Sequence, residues 1–135
     1  MAHALFPVEI LTPEGEVFNG DVEMVSTRTT LGQIGILARH APLLATLEPT
    51  ELRLYQTETE VIRYAQAEGY LQVGGNRALL LVEEAHPIAD LDADALRERL
   101  RIAEEELEQA ADDTERRRVA ERDRRRWAQF LKLAE

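Results

Sequence analysis

Through the first 85 residues apolar and polar positions alternate in short runs, broken by turn residues about every 8–12 positions, the pattern of half-buried strands. Val8-Glu9-Ile10-Leu11-Thr12 predicts a strand that ends at Pro13-Glu14-Gly15-Glu16, a turn with proline and glycine in useful places. Val22-Glu23-Met24-Val25 predicts a second strand, Ile34-Gly35-Ile36-Leu37 a third, and Leu43-Leu44-Ala45-Thr46-Leu47 follows His40-Ala41-Pro42. Glu51-Leu52-Arg53-Leu54-Tyr55 and Glu60-Val61-Ile62-Arg63-Tyr64-Ala65 alternate cleanly. Tyr70-Leu71-Gln72-Val73 and Ala78-Leu79-Leu80-Leu81-Val82 flank Gly74-Gly75-Asn76, a strong hairpin signal. Short strands with frequent turns imply a sandwich or flattened barrel rather than a parallel sheet.

At Pro87 the pattern changes. From Asp92 onward there is no glycine or proline, and Leu96, Leu100, Ala103, Leu107 and Ala110 recur at spacings of four, three, four and three, one face of a helix. Asp92 or Asp94 is expected to cap it, and either carboxylate suits the N-terminal end of the helix dipole. Asp112-Asp113-Thr114 predicts a tight turn with Thr114 as N-cap of a second helix, whose thinner stripe is Ala120, Trp127, Leu131 and Ala134. The expected fold class is α+β: an antiparallel β-sandwich over residues 1–86, then an antiparallel helical hairpin over 87–135.

Charge sharpens this division. The 135-residue chain carries a net charge of −10, which argues against general nucleic-acid binding. Residues 1–85 hold 12 acidic and 5 basic side chains, residues 90–115 hold 11 and 3, and residues 116–135 reverse the balance with 3 and 8. An acidic first helix thus faces a basic second one, and a closed hairpin is expected to cancel their charges. Cysteine is absent, which excludes disulfides and cysteine-bound metals. No apolar run approaches the roughly 18 residues that span a bilayer, and no secretory leader is apparent, so any membrane association is expected to come through partners.

Candidate chemistry is sparse. A Ser-His-Asp arrangement would have to use Ser26, the single serine, at the end of a predicted strand and without elbow glycines. His3, His40 and His86 have no zinc-binding spacing. Gly32-Gln33-Ile34-Gly35 lacks the lysine and helix that a phosphate loop needs, so its glycines are read as backbone bends or close approaches. No catalytic residue or resident metal is expected.

The segment Gly32-Gln33-Ile34-Gly35-Ile36-Leu37-Ala38-Arg39-His40-Ala41-Pro42-Leu43-Leu44 resembles the G-x-x-G-I-L-x-x-H-A-P-L signature of the ε-subunit family of bacterial F-type ATP synthases. Leu11-Thr12-Pro13-Glu14-Gly15, Glu68-Gly69-Tyr70-Leu71-Gln72-Val73, Val82-Glu83-Glu84-Ala85 and Leu91-Asp92 resemble further family segments in the same order. The resemblance covers essentially the whole chain. It departs at Glu48-Pro49-Thr50-Glu51, where the family usually has a glycine-containing turn.

The resemblance implies the same sandwich-plus-hairpin fold and a non-catalytic rotor subunit, peripheral on the cytoplasmic face of the plasma membrane. The sandwich would bind the γ subunit through His40, Leu43, Glu68 and Gly69, and the c-ring through Arg28, Leu31 and Gln33. The tail, once open, would offer Arg118, Arg122, Arg124, Arg125 and Arg126, with Arg116 and Arg117, to an acidic segment of the catalytic β subunit and so inhibit ATP hydrolysis. These arginines do not share one face, since three successive residues span about 200° of a helix. Some family members also bind ATP through an I/L-D-x-x-R-A motif. Here Leu91 and Asp92 fit it, but Ala95 stands where arginine is needed, leaving Arg97 and Arg126 as candidate cations and weak ATP binding as the expectation.

Overall fold

The computed structural model describes residues 3–135. Ten strands form the first of two compact units, which runs through Pro87: β1 (Phe6–Thr12), β2 (Gly15–Val22), β3 (Met24–Thr29), β4 (Gly32–Leu37), β5 (Leu43–Leu47), β6 (Thr50–Tyr55), β7 (Val61–Gln66), β8 (Gly69–Gly74), β9 (Arg77–Val82) and β10 (Ala85–Pro87). Their order is β10-β7-β6-β3-β5-β8-β9-β1-β2, with β4 branching from β3. A single register pair, Thr29 with Leu47, joins β3 to β5. The sheet folds over at that corner, so β10-β7-β6-β3 forms one layer and β5-β8-β9-β1-β2 the other. Phe6, Val8, Ile10, Val25, Ile36, Leu52, Leu54, Leu71 and Leu80 fill the space between them.

Three local expectations are revised. Val22–Val25 is not one strand: Glu23 breaks it, giving its N–H to the Tyr55 carbonyl at 2.7 Å, and β2 ends where β3 begins. The strand Gly15–Val22 carries Asn19 and Gly20 and alternates too poorly to be read from pattern. β1 and β9, far apart along the chain, pair in parallel, whereas the other strand pairs among the described residues are antiparallel.

The tight turns follow their residues. β1–β2 and β3–β4 close with the same chemistry. Thr12 and Thr29 each donate a hydroxyl to the carbonyl of the glycine three residues on, Gly15 and Gly32, and each accepts the N–H two residues on. Both glycines have positive φ, 127° and 124°. Gly75 and Asn76 turn β8 into β9 with φ of 58° and 59°, the conformation a two-residue hairpin with the right twist requires.

The departure at Glu48-Pro49 is accommodated without glycine. Glu48 donates its N–H to the Arg28 carbonyl at 3.0 Å, and the Gln66 side chain donates to the Glu48 carbonyl at 3.0 Å. Gln66 is fully buried, yet its amide also donates to the Ala67 carbonyl and accepts the Thr27 hydroxyl at 2.5 Å. A buried amide so saturated incurs no unpaired-group penalty.

The second compact unit, Ile88–Glu135, holds a single 3-10 turn (Ile88–Asp90) and two packed helices, α1 (Ala93–Ala110) and α2 (Thr114–Ala134). Asp92 caps α1 by accepting the Ala95 N–H at 3.2 Å. The cap of α2 is Asp113, not Thr114: its carboxylate accepts the Arg116 N–H at 3.1 Å, and Thr114 is already helical. Leu96, Ala103, Ala110, Ala120 and Phe130 are buried. The buried residues of α2 are Ala120, Arg126 and Phe130, whereas the expected Trp127, Leu131 and Ala134 are half-buried at the edges of that face.

Candidate functional site

A sandwich has two outer faces, and alternation decides which side chains reach them. On β5, β8, β9 and β1 the inward positions Leu47, Leu71, Leu80 and Ile10 are buried. The outward set runs across the strands in two rows, Thr46–Tyr70–Leu81–Leu11 and Leu44–Gln72–Leu79–Glu9. Leu44 is 73% exposed, Tyr70 58% and Leu81 43%. Tyr70 and Leu81 are direct cross-strand partners, and Leu44 is diagonal to Tyr70. Three large apolar side chains left in water on adjoining strands form a patch of the kind that docks a partner.

Leu43 packs against the core, while Leu44 beside it faces outward. Sequence alone does not single out Leu44, Tyr70 and Leu81 as outward-facing, because hydrophobic residues in a strand read as core. The signal that finds them is phase: each has the opposite parity to an inward-facing residue beside it, Leu43, Leu71 and Leu80. His40 sits in the β4–β5 corner, with its N–H on the Leu37 carbonyl and its ring nitrogen 2.6 Å from the Ala41 carbonyl. Arg39 ties that corner to the β8–β9 turn through Asn76 Oδ1 at 2.8 Å. Gly69 lies where β8 passes β9 closely, and Glu68 accepts the Glu83 N–H through its carbonyl.

The β3–β4 hairpin brings together the second group of expected residues. Arg28 and Gln33 are register partners one step before the turn, and Leu31 at its tip is 98% exposed. A leucine that exposed on a rigid two-residue turn contributes nothing to the core. Ser26 is in the middle of β3 rather than at its end, opposite Gly35 and Arg53.

The outer face of β6 and β7 is charged. Arg53 and Arg63 stand directly opposite each other, and the Glu51 carboxylate bonds both, at 2.7 Å in the case of Arg53. The Arg53 guanidinium is held above its usual range by hydrogen bonds to Tyr55 and Glu51. The shared carboxylate offsets the repulsion of two like charges in register.

On the helical hairpin the charges pair mostly along each helix instead of across the seam. Arg101 binds Glu98 and Glu105, Arg118 binds Glu115, Arg117 lies 3.8 Å from Glu121, and Arg122 binds Asp123. Glu98 and Glu115 are held below the usual carboxylate range chiefly by hydrogen bonds from Arg101 and Arg118. Arg116–Glu106 at 2.6 Å and Arg97–Glu135 at 3.7 Å do cross. Arg124 and Arg125 are exposed, while Arg126 is only 7% exposed and lies over the Trp127 ring. The nucleotide candidates are engaged structurally: Asp92 caps α1, Arg97 pairs with Asp94, and Leu91 donates its N–H to the Ile88 carbonyl.

Among the described residues no cluster of His, Asp and Glu could hold a metal ion, and no helix is long and apolar enough to cross a membrane.

Residues 5–88 match the family described as ATP synthase, Delta/Epsilon chain, beta-sandwich domain. The chain is 39% identical over 105 residues to the ATP synthase epsilon chain of Persephonella marina, covering 78% of this chain and 77% of that one. It is 36% identical over 127 residues to that of Halalkalibacterium halodurans, covering 94% and 95%. It is also 32% identical over 130 residues to that of a Sulfurihydrogenibium species, covering 96% and 97%. The fold matches a chain of the Euglena gracilis mitochondrial ATP synthase (OSCP/F1/c-ring) with a TM-score of 0.81 at 19% identity, covering 98% of this chain and 82% of that one. A chain of the Tetrahymena thermophila mitochondrial ATP synthase central stalk and c-ring matches with 0.64 at 16% identity, covering 100% of both. The chain therefore belongs to the delta/epsilon family of ATP synthase and is an epsilon chain, a non-catalytic subunit of that enzyme.

Proposed function

We propose that this epsilon chain works in the central stalk of a bacterial F-type ATP synthase, as part of the rotor that couples proton or sodium transport to ATP synthesis. It would sit on the cytoplasmic face of the membrane. The observation that carries the reading is the exposed apolar surface of the sandwich. Leu44, Tyr70 and Leu81 offer an apolar patch to the γ subunit, and Leu31 projects from the β3–β4 turn toward the c-ring, flanked by Arg28 and Gln33. His40 and Gly69 support this surface by shaping the loops and strands behind it.

The helical hairpin is the regulatory part of the proposal. Opened, α2 presents Arg118, Arg122, Arg124, Arg125 and Arg126 to an acidic segment of the catalytic β subunit and obstructs rotation in the hydrolysis direction. The charge distribution makes this exchange inexpensive. Arg117, Arg118 and Arg122 pair within α2 at the surface, where such pairs contribute only about 0–1 kcal/mol each. Partly desolvated arginine–carboxylate bonds to a partner are worth roughly 1.5–3 kcal/mol each, which can offset the apolar packing given up when the helices part. Removing residues 88–135, or replacing Arg122, Arg124, Arg125 and Arg126 with alanine, should raise ATP hydrolysis by the assembled enzyme and change synthesis less. Hydrolysis at the parent rate in both variants would sink the inhibitory role.

ATP has a poor site here, since Ala95 supplies no cation and Arg126 is buried. Calorimetry on the isolated chain should therefore detect weak ATP binding or none. Micromolar affinity would overturn this.

A further inference from the structure

The helices of the hairpin are tied covalently through residues 111–113, so they must part from the opposite end, where α1 begins and α2 finishes. Toward that end lies Trp127, the chain's one tryptophan. The Arg99 guanidinium carbon, from α1, is 4.9 Å from the centre of the Trp127 ring, and that of Arg126 is 5.3 Å from it. Phe130, fully buried, meets the ring edge-on at 5.8 Å and 76°.

These contacts are unequal in what opening does to them. Arg126 and Phe130 share a helix with Trp127, so their contacts with its ring survive opening, while the apolar seam of Leu96, Ala103, Ala110, Ala120 and Phe130 is lost as a whole. Arg99 is on the other helix and leaves. Only a contact present in one state and absent in the other moves the balance between them. The cross-helix ion pairs are poor candidates for that part. Arg97–Glu135 is long and exposed at both partners, and Arg116–Glu106 lies beside the covalent turn, where separation is last. Salt screens such exposed pairs.

We infer that the Arg99–Trp127 contact is a latch at the free end of the hairpin, which adds to the apolar seam and tunes how readily α2 is released. The inference rests on the reading that the hairpin opens, and it names a residue pair that tunes the step.

The chain has no cysteine, so Ala95→Cys and Lys132→Cys, both at exposed sites near the free end, place a donor and an acceptor dye on the full-length protein. Opening is followed as the dye distance during a urea titration, with the open-to-closed ratio read in the transition. Arg99→Gln should raise that ratio on the order of threefold, as the loss of an exposed cation–π contact would. Arg99→Lys, which keeps a cation, should restore most of it. Arg101→Gln, which removes only pairs within α1, should raise it less than Arg99→Gln does. An unchanged ratio for Arg99→Gln, or an equal rise for Arg101→Gln, overturns the latch. The distance readout needs no partner subunit. If Arg99→Gln opens the hairpin yet leaves hydrolysis by the assembled enzyme unaltered, the latch stands and the inhibitory role falls.

Discussion

A methyl group on Gly69 would stand 2.0 Å from the Leu81 carbonyl oxygen and 2.7 Å from Val82 Cα. Both are backbone atoms of the paired strand, so no rotamer change relieves the collision. Gly69→Ala should therefore destabilise the sandwich by about 3 kcal/mol, the upper part of the range for overpacking. Gly35 gives the contrast. A methyl there meets only the Met24 sulfur at 3.7 Å, an ordinary contact. Gly35→Ala should be neutral or stabilise by about 0.5 kcal/mol, because alanine restricts the unfolded chain. Urea melts of the two variants check the pair, and equal midpoints would contradict it. The sequence made Gly69 conspicuous within a strand but could not say whether it faced a partner or a neighbouring backbone. Gln66 was less legible still. Its role depends on Thr27 and the Glu48 carbonyl, which are brought to it only by the fold.

Elements were readable where periodicity and turn chemistry agreed. Gly75-Asn76 between alternating runs announced the β8–β9 hairpin, and the four-three spacing from Leu96 announced α1. Reading failed at β2, whose alternation is diluted by Asn19 and Gly20, and at the join to β3, where the break at Glu23 has no glycine or proline to mark it. The helix–helix turn carries a further consequence. Ala111 ends α1 with φ of 48° and ψ of −113°, a conformation that side chains with a Cβ rarely adopt. Its carbonyl also accepts a bond from Arg117 at 3.3 Å, so the turn holds that geometry. Ala111→Gly should stabilise the helical hairpin by roughly 1 kcal/mol, and Ala111→Val should weaken it by at least as much. Amide exchange in α1 and α2 reads both changes. Faster exchange in the glycine variant would show that the turn is not strained.

For the molecule as a whole, the chain divides after Pro87, where a strand-and-turn pattern gives way to a run without glycine or proline. The apolar core of the sandwich is drawn entirely from residues 6–85. A fragment ending at Pro87 should consequently fold with a single cooperative transition. The endpoint matters because β10 pairs with β7, placing Ala85, His86 and Pro87 against Gln66, Ala65 and Tyr64. A fragment ending at Glu84 would leave that edge of β7 bare and should melt at lower urea. If the outward patch is the γ contact, the longer fragment should retain γ in a pull-down without the helices. Leu44→Asp with Tyr70→Asp should abolish that retention and leave the melt nearly unchanged, because both side chains are already in water. An unfolded fragment would show that the sandwich depends on its tail. A doubly substituted fragment that still holds γ would move the contact off the β5–β8–β9 face and direct attention to the corner at His40 and to Glu68.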